Sequence, residues 1–265
     1  MSWWGKIVGG AFGFALGGPL GALLGVALGH NVDRGLGKFK VIDGGAAEFA
    51  HERTQMAFFT ATFAVMGHVA KVDGTVSAAE IDMANQVMSR MNLNEEQRQL
   101  ARNLFRQGRD DDFSLDQVLA QFKKECHRRS TLLRMFMEIQ LSSAYSDGQF
   151  SHEERELLAR ISRDIGFSEH EFIHLESLVK AHFSATSSNA RSQTPSLADA
   201  YAVLDVSETA SDAEVKKAYR RLINQHHPDK LVAKGLPEEM MKLAAEKTHQ
   251  IKQAYDAIKA KRGIR

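Results

Sequence analysis

His227, Pro228 and Asp229 are the residues of this 265-residue chain best placed to do chemistry. An imidazole and a carboxylate flank a proline, which cannot donate a backbone hydrogen bond and pushes the residue before it out of helical geometry. Both side chains are thereby held on a rigid turn. As a general acid–base pair they would need a third, orienting group or a Gly-rich oxyanion loop, and neither is in evidence. No catalytic residue is therefore assigned, and the chain is read as a non-enzyme. Just upstream, Lys216 with Arg220 and Lys217 with Arg221 stand four apart. Like charges at that spacing repel across a helix surface. A cluster that carries this small cost suits an acidic partner, although alone it would read as a solvated face. The cluster is short and its domain only mildly basic, which does not suit nucleic acid.

Two further groups are candidates. Ala70 to Glu80 (AKVDGTVSAAE) aligns with Ala144 to Glu154 (AYSDGQFSHEE), a repeat at an offset of 74 residues. Each copy reads as a helix end, an Asp-Gly turn and a new helix opened by a capping box, Ser77 with Glu80 and Ser151 with Glu154. The alternative is an acidic metal site built on Asp73 and Asp147. An EF-hand needs more oxygen ligands in one loop, so no metal ligand is assigned. Cys126 is the single cysteine, which excludes a disulfide framework, a CxxC pair or a cysteine zinc site within one chain.

The elements that must position these groups are all helical. Phe49, Met56, Phe59, Phe63 and Met66 recur at three- and four-residue steps and predict one apolar stripe. Helical patterns follow over about 77–91, 94–107, 114–126, 131–145, 151–165 and 168–182, with no alternating strand between them. Residues 46–182 are thus expected to form a helical bundle large enough for its own core. Residues 183–195, rich in Ser, Thr and Ala, read as a flexible linker. Beyond it, 196–203 is a short helix, and Ser211 with Glu214 caps a helix running to about Gln225. A last helix over about 238–261 carries Met240, Leu243, Ile251, Ala254, Tyr255 and Ile258 on its apolar face. The turn at 227–229 joins two antiparallel helices.

At the other end, Ile7 to Leu28 is 22 residues without a charge. As one helix it would span about 33 Å, close to a bilayer core. Trp3 and Trp4 lie just outside it, where aromatic belts sit. Lys6 precedes it, whereas Arg34, Lys38 and Lys40 follow, and this excess places the C-terminal side in the cytoplasm and the N-terminus in the periplasm. Residues 1–30 are read as a single-pass anchor and 31–45 as a Gly-rich juxtamembrane segment. Pro19 in mid-span can kink the helix, and insertion as a hairpin is the alternative. Gly9, Gly13, Gly17, Gly21, Gly25 and Gly29 recur every four residues. That spacing stacks them along one helix face, which a second helix can approach closely, so a homodimer is expected. The net charge of +1 gives no strong field toward polyanions, although residues 196–265 hold 13 Lys/Arg against 10 Asp/Glu.

Four elements of the C-terminal segment, in order and correctly spaced, resemble the J domain of the DnaJ family. They are Ala200 to Val206 (AYAVLDV), Lys217 to Leu222 (KAYRRL), His227-Pro228-Asp229, and Gln253-Ala254-Tyr255. The two A-x-x-D-G-x-x-S-x-x-E stretches resemble the TerB-like domain. With the N-terminal span and Lys230 to Pro237 (KLVAKGLP), nearly the whole chain resembles the membrane-anchored DnaJ-like proteins of the bacterial inner membrane. The resemblance implies an all-α chain: an N-terminal transmembrane helix, a TerB-like bundle over 46–182, a linker over 183–195 and a J domain over 196–265. It implies binding to a DnaK-type ATPase chaperone, whose hydrolysis the J domain accelerates. His227, Pro228 and Asp229 would form the essential contact, with Lys216, Lys217, Arg220 and Arg221 docking an acidic surface. No cofactor is implied. The alternative is a membrane-tethered, stress-sensing scaffold acting through metal or partner binding by the bundle. The chain lacks a Gly/Phe-rich segment, cysteine zinc repeats and a C-terminal client-binding domain, so client choice would fall to the bundle.

Overall fold

The computed structural model describes residues 17–29, 46–72, 78–91, 93–127, 129–145, 150–188, 197–237 and 240–263. Among them the regular structure is helical: α1 Gly18–Gly29, α2 Ala46–Val69, α3 Ala78–Arg90, α4 Glu95–Gly108, α5 Leu115–Glu125, α6 Ser130–Ala144, α7 His152–Ile165, α8 Glu169–Ser188, α9 Leu197–Leu204, α10 Asp212–His226, α11 Pro228–Ala233 and α12 Met241–Arg262.

Helix α2 is the axis of the bundle. Its amphipathic stripe is the visible part of something larger: from Thr54 to Gly67 every residue is buried. No charged side chain interrupts that stretch, and a helix apolar on all sides belongs inside. Phe58, Phe59 and Phe63 meet Phe122 of α5 and Phe136 of α6 in the core, with Phe58 edge-on to Phe122 at 6.1 Å between ring centroids. At Thr62 the buried polar groups of α2 are used: its Oγ1 donates to the Phe58 carbonyl, and Gln140 Nε2 of α6 donates to the Thr62 carbonyl.

Helices α2 and α4 cross at glycine on both sides. A Cβ at Gly67 would stand 1.9 Å from the Phe105 carbonyl oxygen, and one at Gly108 would stand 1.8 Å from the Ala64 oxygen. Neither backbone can retreat without opening the aromatic core beneath. Helix starts follow the sequence signals. Ser151 and Glu154 exchange side-chain-to-backbone bonds of 3.1 and 2.8 Å at the start of α7. Asn94 and Gln97 do the same at α4, a capping box that the S-x-x-E pattern does not cover.

Three expectations change. Of the uncharged N-terminal stretch, residues 7–16 lie outside the described residues, and its described part is helical only from Gly18. Gly17 and Gly18 both have positive φ, +59° and +60°, and α1 starts there. Its Leu20, Leu24 and Ala27 are buried in the bundle core. Gln121 of α5 accepts from the Leu20 amide and donates to the Gly17 carbonyl. At 12 residues α1 is too short to span a bilayer, and among the described residues no helix is long and apolar enough to cross a membrane. Second, α8 runs on to Ser188, past the expected linker start at 183. Third, the apolar face of α12 serves two cores. Ala244, with Met240 just before the helix, joins the bundle, while Ile251, Ala254 and Ile258 join a separate C-terminal core with Tyr201, Leu204, Val215 and Leu222.

Gly108→Ala is expected to overpack the α2–α4 crossing at a cost of about 1–3 kcal/mol. The bundle's thermal midpoint should fall by roughly 2–12 °C, given about 2–4 °C per kcal/mol at this size. An unchanged melting curve would contradict the crossing.

Candidate functional site

The site is built at the end of α10. Ser211 caps the helix with Glu214, the two bonds measuring 3.3 and 2.7 Å. Val215, Ala218 and Leu222 turn one face into the C-terminal core. That orientation forces Lys217, Arg220 and Arg221 outward, and all three are exposed while Lys216 is half-buried. Arg221 Nη2 lies 3.0 Å from Asp205 Oδ2, so one member of the basic cluster is engaged within the domain. At the far end of the hairpin Arg262 lies 5.0 Å over the Tyr201 ring and donates to Tyr201 Oη, tying α12 to α9.

His227 sits at φ −60°, ψ 125°, between α10 and α11. It is both the C-cap of one helix and the N-cap of the next. Pro228 occupies the first position of α11, where a missing N–H costs nothing. The structure therefore places the triad on a helix-to-helix corner, where a plain loop is expected from sequence. The His227 side chain is 44% exposed and that of Asp229 81%, with Nδ1 and Oδ2 4.0 Å apart. The two groups are thus presented side by side and not clamped together. Among the described residues His227 Nδ1 has no hydrogen-bond partner, so no third group orients the pair in the manner of a catalytic triad.

The corner is held from behind. Thr248 Oγ1 of α12 donates to the His226 carbonyl at 3.0 Å and also reaches the Ala244 carbonyl at 2.9 Å. His226 itself is buried. Burial pushes its pKa down, against the pull of Glu138 upward.

Alongside the triad lies a groove of about 370 Å³ lined by Tyr219, Arg220, Ile223, Asn224, His227 and Lys230. Tyr219 stacks on Tyr255 at 4.2 Å and 15°, and the Lys230 ammonium donates to Asn224 Oδ1. Tyr219, Ile223 and His227 follow an i, i+4, i+8 row, a helical register that would have found the groove in the sequence. Arg220, the groove and His227 therefore share one surface, apolar in its middle and cationic at its edges, whereas Lys217 and Arg221 line a second concavity with Asp205 and Glu214.

The other candidates separate. Cys126 is buried, and burial pushes its thiol up to about 12, which removes it as a nucleophile. Asp73 and Asp147 lie outside the described residues, as does the Ser77 cap. Among the described residues no group of three or more His, Cys, Asp or Glu side chains could hold a metal. Of the glycine row, Gly9 and Gly13 lie outside the described residues. Gly17 falls at the break before α1, Gly21 is buried against the bundle and Gly25 is exposed, with nothing within 4 Å of an added Cβ. Gly29 is the last residue of α1. Positive φ at Gly17 and Gly18 is why these positions do not continue one helical row.

Comparison with known proteins matches three family models to the chain. They are "Tellurite resistance protein TerB" over residues 59–177, "Co-chaperone DjlA transmembrane domain" over 1–39 and "DnaJ domain" over 199–263. A protein of Vibrio cholerae named "Co-chaperone protein DjlA" is 46% identical, with all of both chains covered. Proteins of the same name from Photobacterium profundum (43% identical over 99% of this chain and all of the relative) and Coxiella burnetii (42%, all of both) are also similar. The chain belongs to the DjlA co-chaperone family.

No solved structure matches. The DnaJ match assigns α9 to α12 to the J domain, so the surface at His227–Asp229 is the J-domain surface of a DjlA co-chaperone. A DnaJ domain implies a DnaK-type chaperone as partner, and the match over 1–39 points to membrane association through the N-terminal region of this DjlA chain.

Thr248→Val should loosen the corner by removing the bond to the His226 carbonyl, worth about 1 kcal/mol. Amides at 229–231 are then expected to exchange hydrogen roughly fivefold faster, with bundle amides unchanged. Equal exchange in both proteins would mean that Thr248 does not position the triad.

Proposed function

We propose that this co-chaperone stimulates the ATPase of a DnaK-type chaperone through its J domain and recruits that chaperone to the inner membrane. The observation that carries the reading is the joint presentation of His227 and Asp229 beside the exposed cations of α10. Lys216, Lys217, Arg220 and Arg221 would meet an acidic surface and speed encounter at a distance, because long-range charge acts chiefly on association rate. The triad would then make the short-range contact, with Pro228 fixing its geometry. The chain supplies no hydrolytic group of its own in this reading. It changes the rate of a reaction that takes place in its partner.

The N-terminal region would anchor the chain as a single pass, N-terminus periplasmic and the bundle and J domain cytoplasmic. The support is the uncharged stretch 7–28 and the basic residues that follow it. The part of the glycine row ahead of α1, Gly9 and Gly13, would mediate a homodimer in the bilayer, through close helix approach. Anchoring also restricts the recruited chaperone to a layer near the membrane and raises its local concentration there.

The test is ATP turnover by a DnaK-type chaperone with the full-length chain in detergent or vesicles. Asp229→Asn keeps size and shape but removes the charge, and is expected to lower stimulation at least tenfold while leaving the chain folded. Stimulation equal to that of the unsubstituted chain would overturn the reading.

A further inference from the structure

The segment Lys230 to Pro237 and the start of α12 do little for the J domain's own core. That core is Ala200, Tyr201, Leu204, Val215, Leu222, Ile251, Ala254 and Ile258. Leu231, Leu236, Met240 and Ala244 are instead at most 1% exposed within the bundle's core cluster. Four apolar side chains of one domain are thus buried by another. Without the bundle they would be an exposed apolar patch, which monomeric domains avoid.

The fit extends to the backbone. Gly235 has φ +99°, and an added Cβ would lie 2.9 Å from Thr54 Cγ2 and 3.2 Å from Arg129 Nη1. Glycine is needed there for both conformation and clearance. Gln55 Nε2 of α2 donates to the Leu236 carbonyl in a buried bond of 3.3 Å, and Lys234 Nζ reaches Thr131 Oγ1 of α6 at 3.3 Å.

Charge closes the same contact. Lys247 Nζ of α12 lies 3.4 Å from Glu138 Oε2 of α6, and Arg134 Nε lies 3.4 Å from Glu138 Oε1. The Glu138 side chain is only 14% exposed. Burial alone would raise its pKa, but Lys247, His226 and Arg134 outweigh that and hold it at about 2. An anion placed this deep is stable only while its cationic partners stay. A second contact lies between α8 and the turn after α9, where His174 Nε2 stands 3.0 Å from Asp205 Oδ1.

We propose that the TerB-like bundle is a docking receptor in cis for the J domain, with Leu231–Pro237 and Met240–Lys247 as the docked element and the Glu138–Lys247 pair as its electrostatic key. The apolar contact supplies affinity and the buried pair supplies register, since a Glu138 left with Arg134 alone would penalise any shifted arrangement. The docked edge is opposite in role to the presented one: Lys217, Arg220, Arg221 and Asp229 remain exposed while Leu231, Leu236 and Met240 are covered. The bundle therefore fixes the direction in which the J domain faces, and the two move as one body.

The experiment measures one distance within the full-length chain in detergent. Gln117→Cys on α5 and Lys252→Cys on α12 are both exposed positions for spin labels, and buried Cys126 does not compete for label. Excess unlabelled chain removes distances between chains. Pulsed electron resonance is expected to give a single narrow distance. Glu138→Lys should broaden it, cutting the narrow population at least fivefold, and Glu138→Lys with Lys247→Glu should restore it. Gly235→Val, on the docked loop and outside both cores, should broaden it independently, which guards against a bundle that fails to fold. A distribution already broad in the unsubstituted chain overturns the proposal. So does one that stays narrow in both Glu138→Lys and Gly235→Val. Neither result bears on the ATPase test with Asp229→Asn, so the two readings fail separately.

Discussion

Proline cannot donate a backbone hydrogen bond, and at position 228 that fact organises the C-terminal domain. Helix α10 must stop at His226, and the chain must leave His227 extended before it can turn into α11. The corner throws the His227 and Asp229 side chains to the outside and sends Leu231 to the inside. Without the corner, α10 would run on, the hairpin with α12 would lose its register, and the groove beside Tyr219 would have no end wall. A residue that lacks a donor thus decides where two functional side chains point.

The same corner divides the domain into two working edges. One carries cations, a tyrosine stack and the triad; the other carries leucines and a glycine that fit against the bundle. Helix α12 links them, because its first turns belong to the bundle core and its last turns to the J-domain core. The aromatic core around Phe58, Phe63, Phe122 and Phe136 and the glycine crossing of α2 with α4 make the bundle a stiff support. Stiffness there matters for function because a presented motif is only as well oriented as the body that carries it.

Much of this was legible in the residues. Periodicity located the bundle helices to within a residue or two at most ends, and the Ser151–Glu154 and Ser211–Glu214 boxes named two helix starts that the hydrogen bonds bear out. The His-Pro-Asp turn and its basic helix read directly, since both are local features. What did not read was non-local. Helix α2 looked amphipathic because Phe59, Phe63 and Met66 dominate a helical wheel, although alanines and threonines fill its remaining faces and those faces are buried too. Leu231 and Leu236 sit in a loop by sequence, and only tertiary contact shows that they face a second domain. Helix α11 escaped notice because six residues are too few to show a period. The glycine row every four residues implied one continuous helix, whereas φ at Gly17 and Gly18 breaks it. Spacing alone does not carry backbone conformation.

In the proposed complex a DnaK-type chaperone meets this chain on the outer edge of the J domain and leaves the bundle-facing edge covered. Hydrogen exchange of the full-length chain, measured with and without the ATP-bound chaperone, reads both edges at once. Slowed exchange is expected across 216–231, with unchanged exchange over 95–145. Slowed exchange confined to the bundle, with 216–231 unaltered, would contradict it.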